Sequence, residues 1–408
     1  MTKKISYIVL AIPILLLQFS CCRSRIEELE PIQLGCAIQS GTKAIVTDKQ
    51  SLIQQSYNGG NGNEKGFGVY GYKTVNTNKT RIFDNTEVKP ESDAETTPWY
   101  YNPIRYWDSN PEASYQFIAY WPHLGTTSGS GTYVSETDGT LTINNIPNWQ
   151  KASIGQNLVH EFDYDTDDDG TDDTYPDSLI IPEAMDLMTS VRVGRYVGTG
   201  AAFSDHYVRF TFSHLLAKVE FRAYYVGDQT KEVKVKSITL KENGSNYIMA
   251  PSGTVNATHI FHEANHSAQV TYATAGTTGN VMPLLSAADF TAPADGIVLP
   301  KGTWVDDNTT PQRTQHLCTW LTVPSQNWNN LALDFEYAIN NATTTGTATG
   351  LTLTSTDANS QQLAGQTLSG HSYVVTLKFT AANGIEIESI QVKDWVNSNP
   401  ITPSVYNW

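Results

Sequence analysis

Cysteine is scarce in this chain of 408 residues, and two of the four, Cys21 and Cys22, sit side by side near the start, leaving only Cys36 and Cys318. That count offers no disulfide framework, even for a chain bound for an oxidising compartment, and no Cys/His spacing of a zinc site is present. Positive charge is short too. Lys and Arg number 26 against 41 Asp and Glu, and the formal net charge of −15 argues against nucleic acid and anionic membrane surfaces as partners. No apolar run approaches the roughly twenty residues that span a bilayer. Few segments place apolar residues at helical spacing. No Gly-rich phosphate loop occurs, and no nucleophile–base pair can be assigned.

What is present begins with an export signal. Lys3 and Lys4 precede an apolar stretch at 8–17, too short for a permanent anchor. It ends in Leu17, Gln18, Phe19, Ser20 and Cys21, which resembles a bacterial lipobox with a small residue before the cysteine. Lipidation is expected at Cys21, with Cys22 as the competing site and an ordinary cleaved signal peptide as the alternative. The chain is expected to leave the cytoplasm.

The rest reads as mostly β. Twenty-one Tyr, nine Trp and abundant Thr, Val and Ile favour strands. Several runs alternate at period two, the mark of a strand with one buried face: Ile32, Leu34, Cys36 and Ile38; Val208, Phe210 and Phe212; Leu215, Ala217, Val219 and Phe221; Leu331, Leu333, Phe335, Tyr337 and Ile339; Tyr373, Val375, Leu377 and Phe379. The phase change between Phe212 and Leu215 fits a bulge or bend in one long strand. Gly, Asn and Thr clusters between the runs suggest antiparallel sandwiches. A domain boundary is expected near residue 205, where the strands at 207–222 would open a new sheet.

An ordered set of motifs resembles the fimbrillins, the pilin subunits of Bacteroidota type V pili. The set comprises residues 32–38 followed by Gly41, Thr42, Lys43 and Ala44; the strand at 67–72; the aromatic stretches 99–107 and 115–122; His214 and the strand at 214–221; Gly370, His371, Ser372 and Tyr373; and Val392, Lys393, Asp394 and Trp395 before a final Trp408. The resemblance implies two consecutive antiparallel β-sandwich domains of transthyretin-like type. With the cut near 205, the chain divides into a signal peptide at 1–20, a propeptide with a removable first strand at 21–43, an N-terminal domain at 44–205, a C-terminal domain at 206–384 and a candidate donor strand at 385–408. It also implies a non-enzymatic structural role: a precursor, membrane-bound through its lipid before processing, that joins other pilin subunits in a homo- or hetero-polymer at the cell surface, for adhesion.

In such a subunit, Ile32, Leu34, Cys36 and Ile38 plug an apolar groove until a protease removes them. A neighbour's strand then adds to the vacated edge. On residue pattern alone these four residues also fit a permanent edge strand. The resemblance places processing at Lys43-Ala44, where the family has Arg. Lys lacks the planar guanidinium fork, so three outcomes stay open: an enzyme that accepts Lys, a cut elsewhere, or no cut. The donor would offer Ile385, Ile387, Ile390, Val392 and Val396, with a phase shift near Ser389 that leaves the register open.

Two further motifs carry chemistry on paper. Asp165, Asp167, Asp169, Thr171 and Asp173 have the alternate spacing of a calcium loop, with Gly170 for the turn but no Glu at the twelfth position. A solvated acidic loop fits as well, and no cofactor is required. His262, Glu263 and His266 match H-E-x-x-H, but the flanks favour strand and turn over the helix that zinc chemistry needs. Exposed loop histidines fit better than a zinc hydrolase. A surface glycan-binding lipoprotein is the other competing class, with aromatic rings as sugar platforms.

Overall fold

The computed structural model describes residues 30–38, 52, 53, 56, 65–94, 96–129, 131–137, 139–147, 149–155, 178–180, 184–195, 207–228, 230–242, 252–258, 269–274, 281–290, 295–300, 314–324, 331–349, 367, 369–380 and 384–394. The described backbone is nearly all β, as the composition predicts. Helical backbone is confined to Leu52, Ile53 and Ser56 and a single 3-10 turn at Ala287–Asp289. No helix among the described residues is long and apolar enough to cross a membrane.

A seven-stranded sheet runs in the order β1 (Gln33–Ile38), β11 (Tyr207–His214), β10 (Met188–Arg195), β5 (Ser114–Trp121), β2 (Phe67–Val75), β3 (Asn78–Pro90) and β4 (Trp99–Tyr100). A four-stranded sheet, β15 (Gln269–Thr274), β14 (Ser252–Thr258), β7 (Thr140–Pro147) and β6 (Tyr133–Thr137), contributes Val134, Leu141, Ile143 and Ile146 to the same core. The second core lies between two other sheets. One is β22 (Ile385–Asp394), β21 (His371–Thr380), β12 (Ala217–Val226), β18 (Gln315–Thr322), β8 (Gln150–Gly155) and β9 (Ser178–Ile180). The other is β16 (Val281–Leu285), β13 (Val233–Glu242), β19 (Leu331–Ile339) and β20 (Ala342–Thr349), with β17 (Ile297–Val298) also on β13.

The period-two alternation explains these cores. Val208, Phe210 and Phe212 are buried on β11, with exposed residues between them. On β21, Tyr373, Val375, Leu377 and Phe379 are all buried. Phe210 and Phe212 pack edge to face on Phe67, and Phe83 and Trp107 on Phe117, the arrangement that ring quadrupoles favour.

Two expectations from the sequence need correction. Residues 207–214 do not open a new sheet: Val208, Phe210 and Phe212 belong to the first core. The chain changes core at 214–217, where β11 ends in one sheet and β12 begins in another, so the phase change marks a crossing rather than a bulge within one strand. Nor do the halves on either side of residue 205 fold apart. β8 pairs with β18 in the second core, and β14 pairs with β7 in the first. Periodicity reports which face is buried and says nothing of which sheet a strand joins.

The crossing is pinned by polar groups. His214 is buried, and its Nδ1 lies 2.9 Å from Oδ1 of the fully buried Asp186. The Leu215 amide donates to the Leu187 carbonyl at 2.8 Å and the Gly370 amide to Leu216 at 3.0 Å, while Ser369 Oγ donates to the His214 carbonyl at 2.9 Å. Replacing His214 by Leu leaves the Asp186 carboxyl buried without that partner, which should lower stability by about 3–5 kcal/mol. Denaturant unfolding checks this, and a loss under about 0.5 kcal/mol, the usual surface value, would show the pair to be dispensable.

Candidate functional site

The first strand is the feature with functional geometry. β1 lies at the edge of its sheet and pairs with β11 alone, in parallel, from Gln33 opposite Tyr207 to Ile38 opposite Phe212. The pleat then sends Leu34 and Cys36 to the same face as Val208 and Phe210. Leu34 and Ile32 are 1% exposed and Cys36 is 5% exposed, so the strand completes the first core rather than resting on it. Ile38 holds its backbone place opposite Phe212.

The other rim is the segment after β4. The Ile32 amide donates to the Arg105 carbonyl at 2.8 Å, the Trp107 amide donates to Glu30 at 2.9 Å, and Pro31 bridges Tyr106. Tyr101 adds its hydroxyl to the Ile32 carbonyl at 2.7 Å, and burial raises its pKa above the ordinary phenol value. Asp108 anchors the end of this clasp through Lys73 at 2.7 Å, a contact that holds its carboxyl below the ordinary range. Phe67 floors the gap, with its ring centroid 5.0 Å from Trp99 on one side and 5.5 Å from Phe212 on the other. The result is an apolar slot with a strand edge along one wall and backbone hydrogen-bonding groups at one end.

Sequence reading missed the clasp. Within the aromatic stretch 99–107 only Trp99 and Tyr100 form a strand. Tyr100, Ile104 and Tyr106 are half exposed, while Trp107 is buried. The Asn102-Pro103 pair, a turn signal, was the available clue.

The donor residues occupy their own sheet. β22 pairs antiparallel with β21 at the edge of the second core. Ile385 is buried against it, in space that Gly346 leaves open, and Ile387 packs on the same cluster. Ile390 and Val392 stand opposite Val375 and Tyr373 in the ladder. Val396, the lipidation residues Cys21 and Cys22, the processing pair Lys43 and Ala44, the aspartates 165–173 with Thr171, and His262, Glu263 and His266 lie outside the described residues. Among the described residues, no group of three or more His, Cys, Asp or Glu side chains is arranged to hold a metal ion. The largest fully buried side chains are Trp, Tyr and Phe, so most of the described aromatic content is core.

No protein-family profile and no curated protein matches the chain. Among solved structures, it is similar to a fimbrial protein from Bacteroides vulgatus, at 15% identity and a TM-score of 0.49 over 90% of this chain and 99% of that one. A candidate cell adhesion protein from Bacteroides uniformis gives 14% identity and a TM-score of 0.40 over 90% and 98%. The C-terminally truncated tip fimbrial protein Mfa3 from Porphyromonas gingivalis gives 8% identity and a TM-score of 0.31 over 90% and 100%. These structural neighbours are thus fimbrial and adhesion proteins of Bacteroidota.

If the first strand contributes to the core as its burial indicates, Leu34→Ala should cost about 2–5 kcal/mol in denaturant unfolding of the first core. Gln33→Ala, on the exposed face of the same strand, should stay within about 0.5 kcal/mol. Equal costs at the two positions would mean that the strand is not packed by alternate side chains.

Proposed function

We propose that this chain is a structural, non-catalytic pilin subunit, exported as a lipoprotein and polymerised at the cell surface by proteolysis-triggered strand exchange, for adhesion. One observation carries the reading: the apolar first strand completes the core, yet it sits at the sheet edge. Its loss leaves the order from β11 to β4 unbroken. An edge strand so placed is separable, whereas a central one is not. Its removal would bare the β11 ladder edge and the slot above Phe67, a template for another strand. Each refilled apolar pocket would regain roughly 1.5–3 kcal/mol.

The last described strand supports the same reading from the other end. β22 is also an edge strand, so residues 384–408 could pass to a neighbour without breaking the order from β21 to β9. Acceptor and donor then lie on different cores, and repetition gives a head-to-tail, open-ended polymer. Each sheet pair is read as a transthyretin-like sandwich, as the sequence resemblance implies. The processing point is Lys43-Ala44. The acidic loop, with Asp165, Asp167, Asp169, Thr171 and Asp173 as ligands, is proposed as a calcium site that stiffens a loop and catalyses nothing.

A trypsin-like cut at Lys43 should convert monomers into polymers, and Lys43→Gln should block conversion at that site. Truncation before Gly384 should yield a processed subunit that accepts a strand but supplies none. Light scattering and size exclusion read both results. Cleaved full-length protein that stays monomeric at high concentration, even as the Tyr207→Ala variant, would sink strand exchange.

Calcium binding to the native state should raise the melting temperature by mass action. Asp167→Ala combined with Asp169→Ala should abolish that rise. No response of the unmutated protein in roughly the millimolar range, where weak extracellular sites act, would leave a solvated acidic loop.

A further inference from the structure

The outer face of the first strand carries a second recognition device. Gly35 faces away from the core between Leu34 and Cys36, and it lies beneath the ring of Tyr207 at the start of β11. A Cβ at this position would overlap Oη and Cζ of Tyr207 and come within 2.8 Å of Cε1. Gly35 does not adopt the left-handed conformation that demands glycine, so the need is spatial: the ring fills the volume of a side chain. The Arg209 guanidinium lies over the Tyr207 ring, 5.8 Å from its centroid. Arg192 in turn donates to the Arg209 carbonyl from the adjacent strand.

The slot therefore imposes two conditions on its occupant. Apolar residues must stand where Ile32, Leu34 and Cys36 stand, and a residue with a Cβ between the second and third must displace the end of the Tyr207 ring. Residues 385–408 contain no glycine. Aligning Gly384 with Gly35 would bury the Asn383 amide in either strand sense, in the place of Leu34 when parallel and of Cys36 when antiparallel. We propose that Tyr207 selects the strand admitted to the slot, and that the strand fitting it without rearrangement is a glycine-bearing one from a second, non-identical subunit. This rests on the strand-exchange reading for its partner. The selection by Tyr207 also acts on the chain's own first strand, and can be tested there.

Cys36 is the probe, since a buried thiol reacts only when its strand opens. Burial pushes the Cys318 thiol up to about 12, which keeps it protonated and unreactive at neutral pH. Labelling of the full chain, resolved by site through mass spectrometry, should be about tenfold faster at Cys36 in Gly35→Val than in the parent, and Gly35→Ala should act in the same direction. In a Tyr207→Ala background, Gly35→Val should change the rate by less than about threefold, the coupling that a double-mutant cycle isolates. The same Gly35→Val effect with and without Tyr207 would overturn the proposal. After the cut at Lys43, Tyr207→Ala should also hasten self-polymerisation through the chain's own 384–408. Equal rates would overturn selection while leaving strand exchange standing. No polymer in either, with the labelling coupling present, would instead remove the exchange reading and keep Tyr207 as the reader of its own strand.

Discussion

The parallel pairing of β1 with β11 is the contact on which the first core depends. It puts Leu34 and Cys36 beside Val208 and Phe210, and it closes the space over Phe67 that the remaining strands leave open. A strand in this position contributes like a core element but is held like an edge. Only one neighbour bonds along its length, and the 101–107 clasp grips one end. High burial with low connectivity makes its removal both costly and topologically simple. Those are the properties a replaceable strand requires.

Interleaving sets what stays behind when that strand leaves. β8 and β14 each cross to the other core, and β11 runs directly into β12 through the buried crossing at His214 and Asp186. The Lys151 ammonium on β8 reaches Asp289 at 2.6 Å, a further tie within the second core between segments distant in sequence. Pulling on one core therefore loads ladders in both. In the proposed polymer, tension entering through an exchanged strand on β11 would pass along the backbone into β12 and its parallel partner β21. The two cores would act as one mechanical unit, not as beads on a linker.

Much of this was legible in the sequence, and particular residues show why. Val208, Phe210 and Phe212 alternate because one face of their strand is buried, and Tyr373, Val375, Leu377 and Phe379 do the same. Ile32, Leu34 and Cys36 were readable as a buried face for the same reason. Gly35 was a signal passed over, since a glycine inside an alternating run marks a close approach. The clasp at 101–107 was not readable, because it works through backbone groups of Arg105 and Trp107 that no side-chain pattern encodes. Tyr207 was equally silent as the cover of Gly35, for the two lie far apart in the chain.

Local chemistry by itself thus determined the strand content, the inward face of each long strand, and the apolar character of the first one. These follow from a pleat that repeats every two residues and from the drive to remove apolar side chains from water. Only the tertiary structure decided the rest: that β1 is an edge strand parallel to β11, that the chain changes core at 214–217 and not near 205, and that β8 and β14 trade places. Strand order and partner choice depend on contacts between residues distant in sequence, and period-two alternation is the same whichever sheet a strand joins.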